Sequence, residues 1–176
     1  AMAWDSWTRD GTAFLREVGR SRATLASLTP THLWDLAKAG ARCPASLRGV
    51  FLGGGRIDPA LVAEARGLGW PLWPTYGMSE TASQVATSLD GGGEWLPLLP
   101  GWEAGTDEEG RLRLRGGCLF SGYAFREDGG WRFDPARDAE GWFATGDRCE
   151  LRGGELRFLS RIDGAVKVLG ELVSVA

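Results

Sequence analysis

Residues 47–77 read LRGVFLGGGRIDPALVAEARGLGWPLWPTYG, and this stretch decides the fold class. Leu47 through Leu52 is a short apolar run that reaches Gly53-Gly54-Gly55, as a strand ending in a loop would. Asp58 stands where a helix cap belongs, and Pro59 falls in the first turn. Leu61, Val62 and Ala65 follow at helical spacing until Gly67. Leu72 to Tyr76 is another short strand. Working outward, Thr12 through Arg20 places Phe14, Leu15 and Val18 on one helical face, with Glu17 and Arg20 on the other. Thr24 to Thr29 reads as a strand broken by Pro30. Thr31 is placed to cap a helix carrying Leu33, Trp34, Leu36 and Ala37, which Gly40 ends. Strand–helix–strand alternation predicts a parallel sheet flanked by helices. Ligands of such sheets bind beyond the carboxyl ends of the strands. Both Gly53–Gly55 and the segment that begins at Tyr76 fall at such ends.

The texture changes after Asp90-Gly91-Gly92-Gly93. Arg111-Leu112-Arg113-Leu114-Arg115 alternates strictly and so has one apolar face. Tyr123 to Phe125 and Trp131 to Phe133 flank a turn at Asp128-Gly129-Gly130. Gly153-Gly154 separates two further strands, a two-residue hairpin signal. The expected fold class is therefore α/β: a helix-flanked parallel-sheet lobe over residues 1–92, then a small antiparallel β-barrel-like lobe over 93–162.

Composition narrows the function. The chain has 176 residues, 43% hydrophobic and 24% charged, which is globular rather than disordered. The net charge is −3 without a basic block, so a nucleic-acid partner is not expected. No apolar run is long enough to span a bilayer. The first residues, Ala1 to Asp5, lack a basic-then-apolar leader pattern. Cys43, Cys118 and Cys149 are widely spaced, and the single His32 cannot complete a zinc set, so reduced thiols in the cytoplasm are expected. One histidine also leaves little material for a Ser-His-Asp triad or a histidine base.

Candidate functional residues cluster in Thr75-Tyr76-Gly77-Met78-Ser79-Glu80-Thr81-Ala82-Ser83-Gln84. An aromatic ring, a glycine, a hydroxyl and a carboxylate within five residues suit a nucleotide: stacking on a base, close backbone approach, a phosphate contact and Mg²⁺. Each also has a plain structural reading. Tyr76 can be a core aromatic, and Ser79 and Glu80 can cap a following helix. A helix start there would itself favour phosphate. Gly53–Gly55 can be a simple loop, and Asp147 an ordinary turn residue. Arg161 and Asp163 can be a salt-bridged loop. Trp34 and Trp73 suit packing or an acyl pocket.

The order of Tyr76-Gly77-Met78-Ser79-Glu80, Thr145-Gly146-Asp147 and Arg161-Ile162-Asp163 resembles the adenylate-forming superfamily of acyl-CoA synthetases, adenylation domains and luciferases. The run Tyr-Gly-Met-Ser-Glu-Thr followed by Ser83-Gln84 is most similar to its o-succinylbenzoate–CoA ligase branch. The resemblance implies that Tyr76 stacks on adenine, Gly53, Gly54 and Gly55 line the adenine and acyl group, Ser79 contacts phosphate and Glu80 holds Mg²⁺. It further implies that Asp147 binds both ribose hydroxyls and that Arg161 contacts phosphate. Gly54, Thr75, Gly77, Met78 and Ser83 then fall to the acid substrate. Ser79, Glu80 and Arg161 are the residues nearest the chemistry. Three positions depart from the family pattern: Ser79 replaces threonine, Ser160 replaces glycine and Gly164 replaces a common Asp. The segment through Lys167 to Gly170 resembles the family's hinge, so residues 163–176 are expected to lead to a C-terminal lid.

The implied function is acid–CoA ligation with ATP, Mg²⁺ and CoA, through an acyl-adenylate. The family's Gly-Lys-Pro-Lys-Gly phosphate loop and lid lysine have no counterpart here. The chain is therefore expected to be part of a longer protein and inactive alone. Two other readings stay open: ligation of another aryl or fatty acid or transfer to a carrier protein, and a non-catalytic AMP- or acyl-binding fragment. Neither the acid nor the oligomeric state follows from the sequence.

Overall fold

The computed structural model describes residues 7–91 and 93–163, and the backbone alone of 165–168 and 171–174. The leader reading at residues 1–5, and Gly92, Gly164 and Gly170, lie outside the described residues, as does the side chain of Lys167.

The first elements are α1 (Thr12–Ser21), β1 (Leu25–Leu28), α2 (Pro30–Lys38), β2 (Gly49–Leu52), α3 (Pro59–Gly67) and β3 (Leu72–Met78). Strands β1, β2 and β3 run parallel, with Leu25 opposite Gly49 and Val50 opposite Leu72. Their core holds Leu28, Leu33, Leu36, Val50, Leu52, Val62, Ala65, Trp70 and Leu72. Asp58 caps α3 as expected, its carboxylate accepting from the Ala60 N–H at 2.9 Å. The cap of α2 is Thr29 and not Thr31. Pro30 opens the helix, because its fixed φ suits the first turn and its missing N–H is not needed there. The Thr29 hydroxyl accepts from the His32 N–H at 3.3 Å, and His32 Nδ1 accepts from the Thr29 N–H at 3.4 Å. Burial holds the His32 pKa below its ordinary value, in keeping with a neutral ring that accepts. His32 thus closes a capping box.

Strand β3 runs past Tyr76 to Met78. One 3₁₀ turn, Ser79–Thr81, follows, and the chain re-enters a strand, β4 (Ser83–Thr87). The helix that Ser79 and Glu80 could have capped does not form, so these two residues present no α-helical N-terminus to a phosphate. The physical reason is a tight return. The Thr81 hydroxyl, 2% exposed, accepts from the Met78 N–H at 3.2 Å and lies 2.9 and 3.0 Å from the Met78 and Ser83 carbonyls. Ala82 takes a left-handed φ of 56°.

The remaining elements are β5 (Leu96–Pro97), β6 (Trp102–Thr106), β7 (Arg111–Gly116), β8 (Gly122–Glu127), β9 (Gly130–Pro135), β10 (Phe143–Arg152), β11 (Glu155–Arg161), β12 (Ala165–Val168) and β13 (Glu171–Ser174). Five form a sheet in the order β5-β11-β10-β7-β6, while β8–β9 and β12–β13 are separate two-stranded pairs. The alternation read in β7 is met: Leu112 and Leu114 are fully buried. They pack with Val85, Ala86, Leu96, Cys149 and Leu156. Gly153 and Gly154 take φ of 55° and 83°, so the predicted two-residue hairpin joins β10 to β11. The expected antiparallel β lobe is present, but not as a closed barrel. Among the described residues the sheet ends at β5 and β6 without closing, and β5 contributes only two residues.

The chain divides into two compact units. One comprises 1–75, 88–92 and 167–172, and the other 76–87, 93–166 and 173–176. The motif from Tyr76 to Gln84 belongs to the second unit. Among the described residues no helix is long and apolar enough to cross a membrane.

Candidate functional site

The second unit carries a cleft of about 350 Å³ lined by Met78, Glu80, Arg111, Tyr123, Phe143, Ala144, Thr145, Gly146, Asp147 and Arg161. Asp147 is its best-fixed member. It sits in the middle of β10 and is 5% exposed. The Thr145 hydroxyl accepts from the Asp147 N–H at 3.1 Å and reaches the Leu112 carbonyl at 3.0 Å, anchoring the strand locally. Asp147 Oδ2 accepts from the Tyr76 hydroxyl at 2.6 Å, and Oδ1 accepts from Arg161 Nη1 at 3.3 Å. Each oxygen therefore keeps lone-pair capacity after one internal bond.

Arg161 is shared. Its Nε and Nη2 donate to Asp163 at 3.1 and 2.6 Å, and those bonds, with the Asp147 charge, push its pKa up. Gly146 matters here by having no side chain. A Cβ at that position would lie 2.9 Å from Arg161 Nη2. The Ile162 N–H donates to the Gly146 carbonyl at 2.8 Å, fixing β11 beside that bare backbone. The Tyr76 ring stacks on Phe158 with centroids 6.2 Å apart.

Glu80 faces the same cleft. Its Oε1 accepts from the Tyr123 hydroxyl at 3.1 Å, and its backbone carbonyl accepts from the Phe120 N–H at 2.8 Å. Partial burial first, and the bond to Glu80 second, raise the Tyr123 pKa. Among the described residues no group of three His, Cys, Asp or Glu is placed to hold a metal. A nucleotide's Mg²⁺ is held by one or two carboxylates, with phosphate oxygens and water supplying the rest. A single carboxylate with one oxygen already hydrogen-bonded fits that mode.

The structure joins Tyr76, Asp147 and Arg161 directly and puts Met78 and Glu80 on the same cleft. Ser79 and Ser83 are exposed and do not line it. Gly77 is required for backbone approach, since a Cβ there would overlap the Ser83 carbonyl. Gly53, Gly54, Gly55 and Thr75 belong to the first unit. There a Cβ on Gly53 would overlap Thr75 Oγ1, and Gly54 takes a left-handed φ of 78°. Tyr123 and Arg111 are cleft residues that sequence reasoning missed. One signal was available for Tyr123: the chain has only two tyrosines, and the other lies in the motif.

Two predictions arise here. Gly77→Ala forces main-chain displacement, an overpacking cost of about 3 kcal/mol, so calorimetry should show a Tm lower by roughly 6–12 °C. An unchanged Tm would show that β3 and β4 separate freely. The second concerns pH. Burial first, then the Asp147 charge, raises the Tyr76 phenol above its ordinary value and pushes the Cys149 thiol up to about 12. Both folded pKa values exceed the unfolded ones. The stabilisation is thus fully present below about pH 9 for the thiol and about pH 10 for the phenol, and is lost as pH rises through the folded values. Denaturant titrations should show stability falling above about pH 9, with Tyr76→Phe losing the component that sets in above about pH 10. Equal alkaline slopes in both proteins would remove Tyr76 from the account.

Known proteins of one family resemble this chain. A 2-succinylbenzoate–CoA ligase of Salmonella typhimurium is 39% identical over 145 residues, which are 80% of this chain and 30% of that protein. The Escherichia coli ligase is 36% identical over 144 residues, with the same shares. The solved Bacillus subtilis o-succinylbenzoate coenzyme A synthetase in complex with ATP and magnesium ion superposes with a TM-score of 0.72 at 28% identity. That match covers 92% of this chain and 36% of that one. The chain thus spans about a third of the length of these relatives. The match to the family described as AMP-binding enzyme runs over residues 2–124, from the first helices through the Tyr76–Glu80 motif to Tyr123, and the chain belongs to that family.

Proposed function

We propose that this chain is part of an ATP-dependent acid–CoA ligase, and that its acid is o-succinylbenzoate. The observation that carries the reading is one cleft lined by Asp147, Arg161 and Glu80, with the Tyr76 hydroxyl bonded to Asp147 from behind it. Tyr76 offers its ring to adenine. Asp147 accepts the ribose hydroxyls through its remaining lone pairs. Arg161, held against Gly146, and the exposed Ser79 hydroxyl meet phosphate. Met78, with Gly77 and Ser83 of the same unit, is assigned to the acid. Glu80 is the residue that would hold Mg²⁺, which when bound offsets the charge that builds as pyrophosphate leaves.

The chemistry asks for no side-chain base. The substrate carboxylate attacks the α-phosphorus of ATP and pyrophosphate leaves, giving an acyl-adenylate. The CoA thiol, its proton passing to water, then attacks the acyl carbonyl, and AMP leaves. Positioning and charge neutralisation carry both steps, which suits a chain with one histidine, itself committed to a helix cap. We place the reaction in the cytoplasm, where free thiols such as Cys43, Cys118 and Cys149 persist.

The test is thioester formation by the full-length protein that carries this segment. It is assayed with o-succinylbenzoate against benzoate and a fatty acid, and with CoA against a phosphopantetheinylated carrier protein. Preference for o-succinylbenzoate and CoA is expected. Preference for another acid or for the carrier would replace the assignment, and AMP binding without turnover would reduce the protein to a binding module.

A further inference from the structure

Both tyrosines of the chain donate to a carboxylate of the cleft: Tyr76 to Asp147 and Tyr123 to Glu80. Asp147 also takes Arg161, and other paired carboxylates of this unit, such as Glu103, Asp138 and Glu150, take arginine too, so the Glu80 bond to a phenol is the one that stands apart from these. The difference is chemical. An arginine partner neutralises a carboxylate, whereas a phenol orients it and leaves its full negative charge for a cation.

Tyr123 is itself held. Phe120 packs edge-on against it, with centroids 4.8 Å apart, and edge-on against the buried Phe143 at 5.2 Å. Arg137 ties the preceding loop by donating to the Phe120 carbonyl at 3.0 Å and to the Leu119 carbonyl. The Ala136 N–H closes the other end of the β8–β9 hairpin by donating to the Ser121 carbonyl at 3.2 Å. The same loop fixes the Glu80 backbone through the Phe120 N–H. Glu80 is therefore gripped twice from one braced segment, at its main chain and at Oε1.

We propose that Tyr123 is a positioning residue, whose hydroxyl sets the Glu80 carboxylate in its metal-binding orientation. The inference rests on the reading of Glu80 as the Mg²⁺ residue. A glutamate side chain has several rotatable bonds. Ordering it beforehand removes that cost from the binding step and aims the second oxygen at the metal. Partners that orient a metal-binding side chain typically affect metal affinity 10- to 100-fold.

The experiment measures ATP affinity of the full-length ligase by calorimetry, in EDTA and at saturating Mg²⁺. The ratio of the two dissociation constants is the metal–nucleotide coupling. Tyr123→Phe, which keeps the ring, should cut that ratio by about tenfold and leave AMP affinity in EDTA unchanged. Glu80→Gln should cut it at least as far, and Tyr123→Phe added to Glu80→Gln should change nothing more. An unchanged ratio in Tyr123→Phe, with a reduced one in Glu80→Gln, overturns the positioning role alone. Equal loss of AMP affinity in EDTA also overturns it, because a merely structural residue would act that way. An unchanged ratio in Glu80→Gln removes the metal reading itself and this inference with it.

Discussion

If the proposed function holds, Asp147→Ala in the full-length protein raises the ATP KM roughly ten- to a hundredfold. A hydrogen bond to a charged group is worth on the order of 1.5–3 kcal/mol, and Asp147 is assigned the ribose diol. The structure adds a second effect. Asp147 is the partner of the Tyr76 hydroxyl and of Arg161 Nη1, so its loss strands a largely buried phenol and frees an arginine toward Asp163. Leaving a buried donor unpaired costs about 1–3 kcal/mol, or roughly 2–12 °C in Tm. The two effects separate by measurement. Steady-state kinetics with varied ATP reads the first, and calorimetry without nucleotide reads the second. A lowered Tm with an unchanged ATP KM would assign Asp147 to holding β10, β11 and Tyr76 together, with no part in ribose binding.

Glu80→Gln should depress the adenylation half-reaction by about 100-fold or more, since metal neutralisation of a developing charge is worth several kcal/mol. Transfer from preformed acyl-adenylate to CoA should change little. Gln keeps the size of Glu and an oxygen that can still accept from Tyr123, so the fold around Phe120 is preserved and only the charge is lost. Pyrophosphate exchange reads the first half-reaction, and CoA transfer from synthetic acyl-adenylate reads the second. A fall of both in parallel would mean that Glu80 supports the cleft structurally. If neither falls, Glu80 has no part in charge neutralisation.

Much of this site was legible from local pattern. Tyr76, Glu80, Asp147 and Arg161 are picked out by residue type and by the order of their motifs, their roles being what the family resemblance implies, and they share one unit. Ser79 was less well read. A Ser-Glu pair after a strand is a fair helix-start signal, yet the chain turns back instead. The close approach of Gly77 to the Ser83 carbonyl and the buried Thr81 hydroxyl favour a second strand over a helix. Propensity at two residues is worth less than that packing.

What the sequence by itself determined are features whose physics is local. Strict alternation in Arg111–Arg115 buried Leu112 and Leu114, because side chains along a strand point to alternate faces. Gly153-Gly154 made a hairpin because its turn needs two positive φ values. Asp58-Pro59 opened a helix because a carboxylate and a fixed φ satisfy its first turn. Only the tertiary structure decided the pairs that cross long separations. The Tyr76 phenol meets Asp147 71 residues on, and Tyr123 returns 43 residues to Glu80. It also decided that five strands form an open sheet, since closure depends on which edges meet. A hydrogen bond between distant residues leaves no mark on the periodicity of either segment. It exists only once β3, β10 and the loop before β8 have been packed into place.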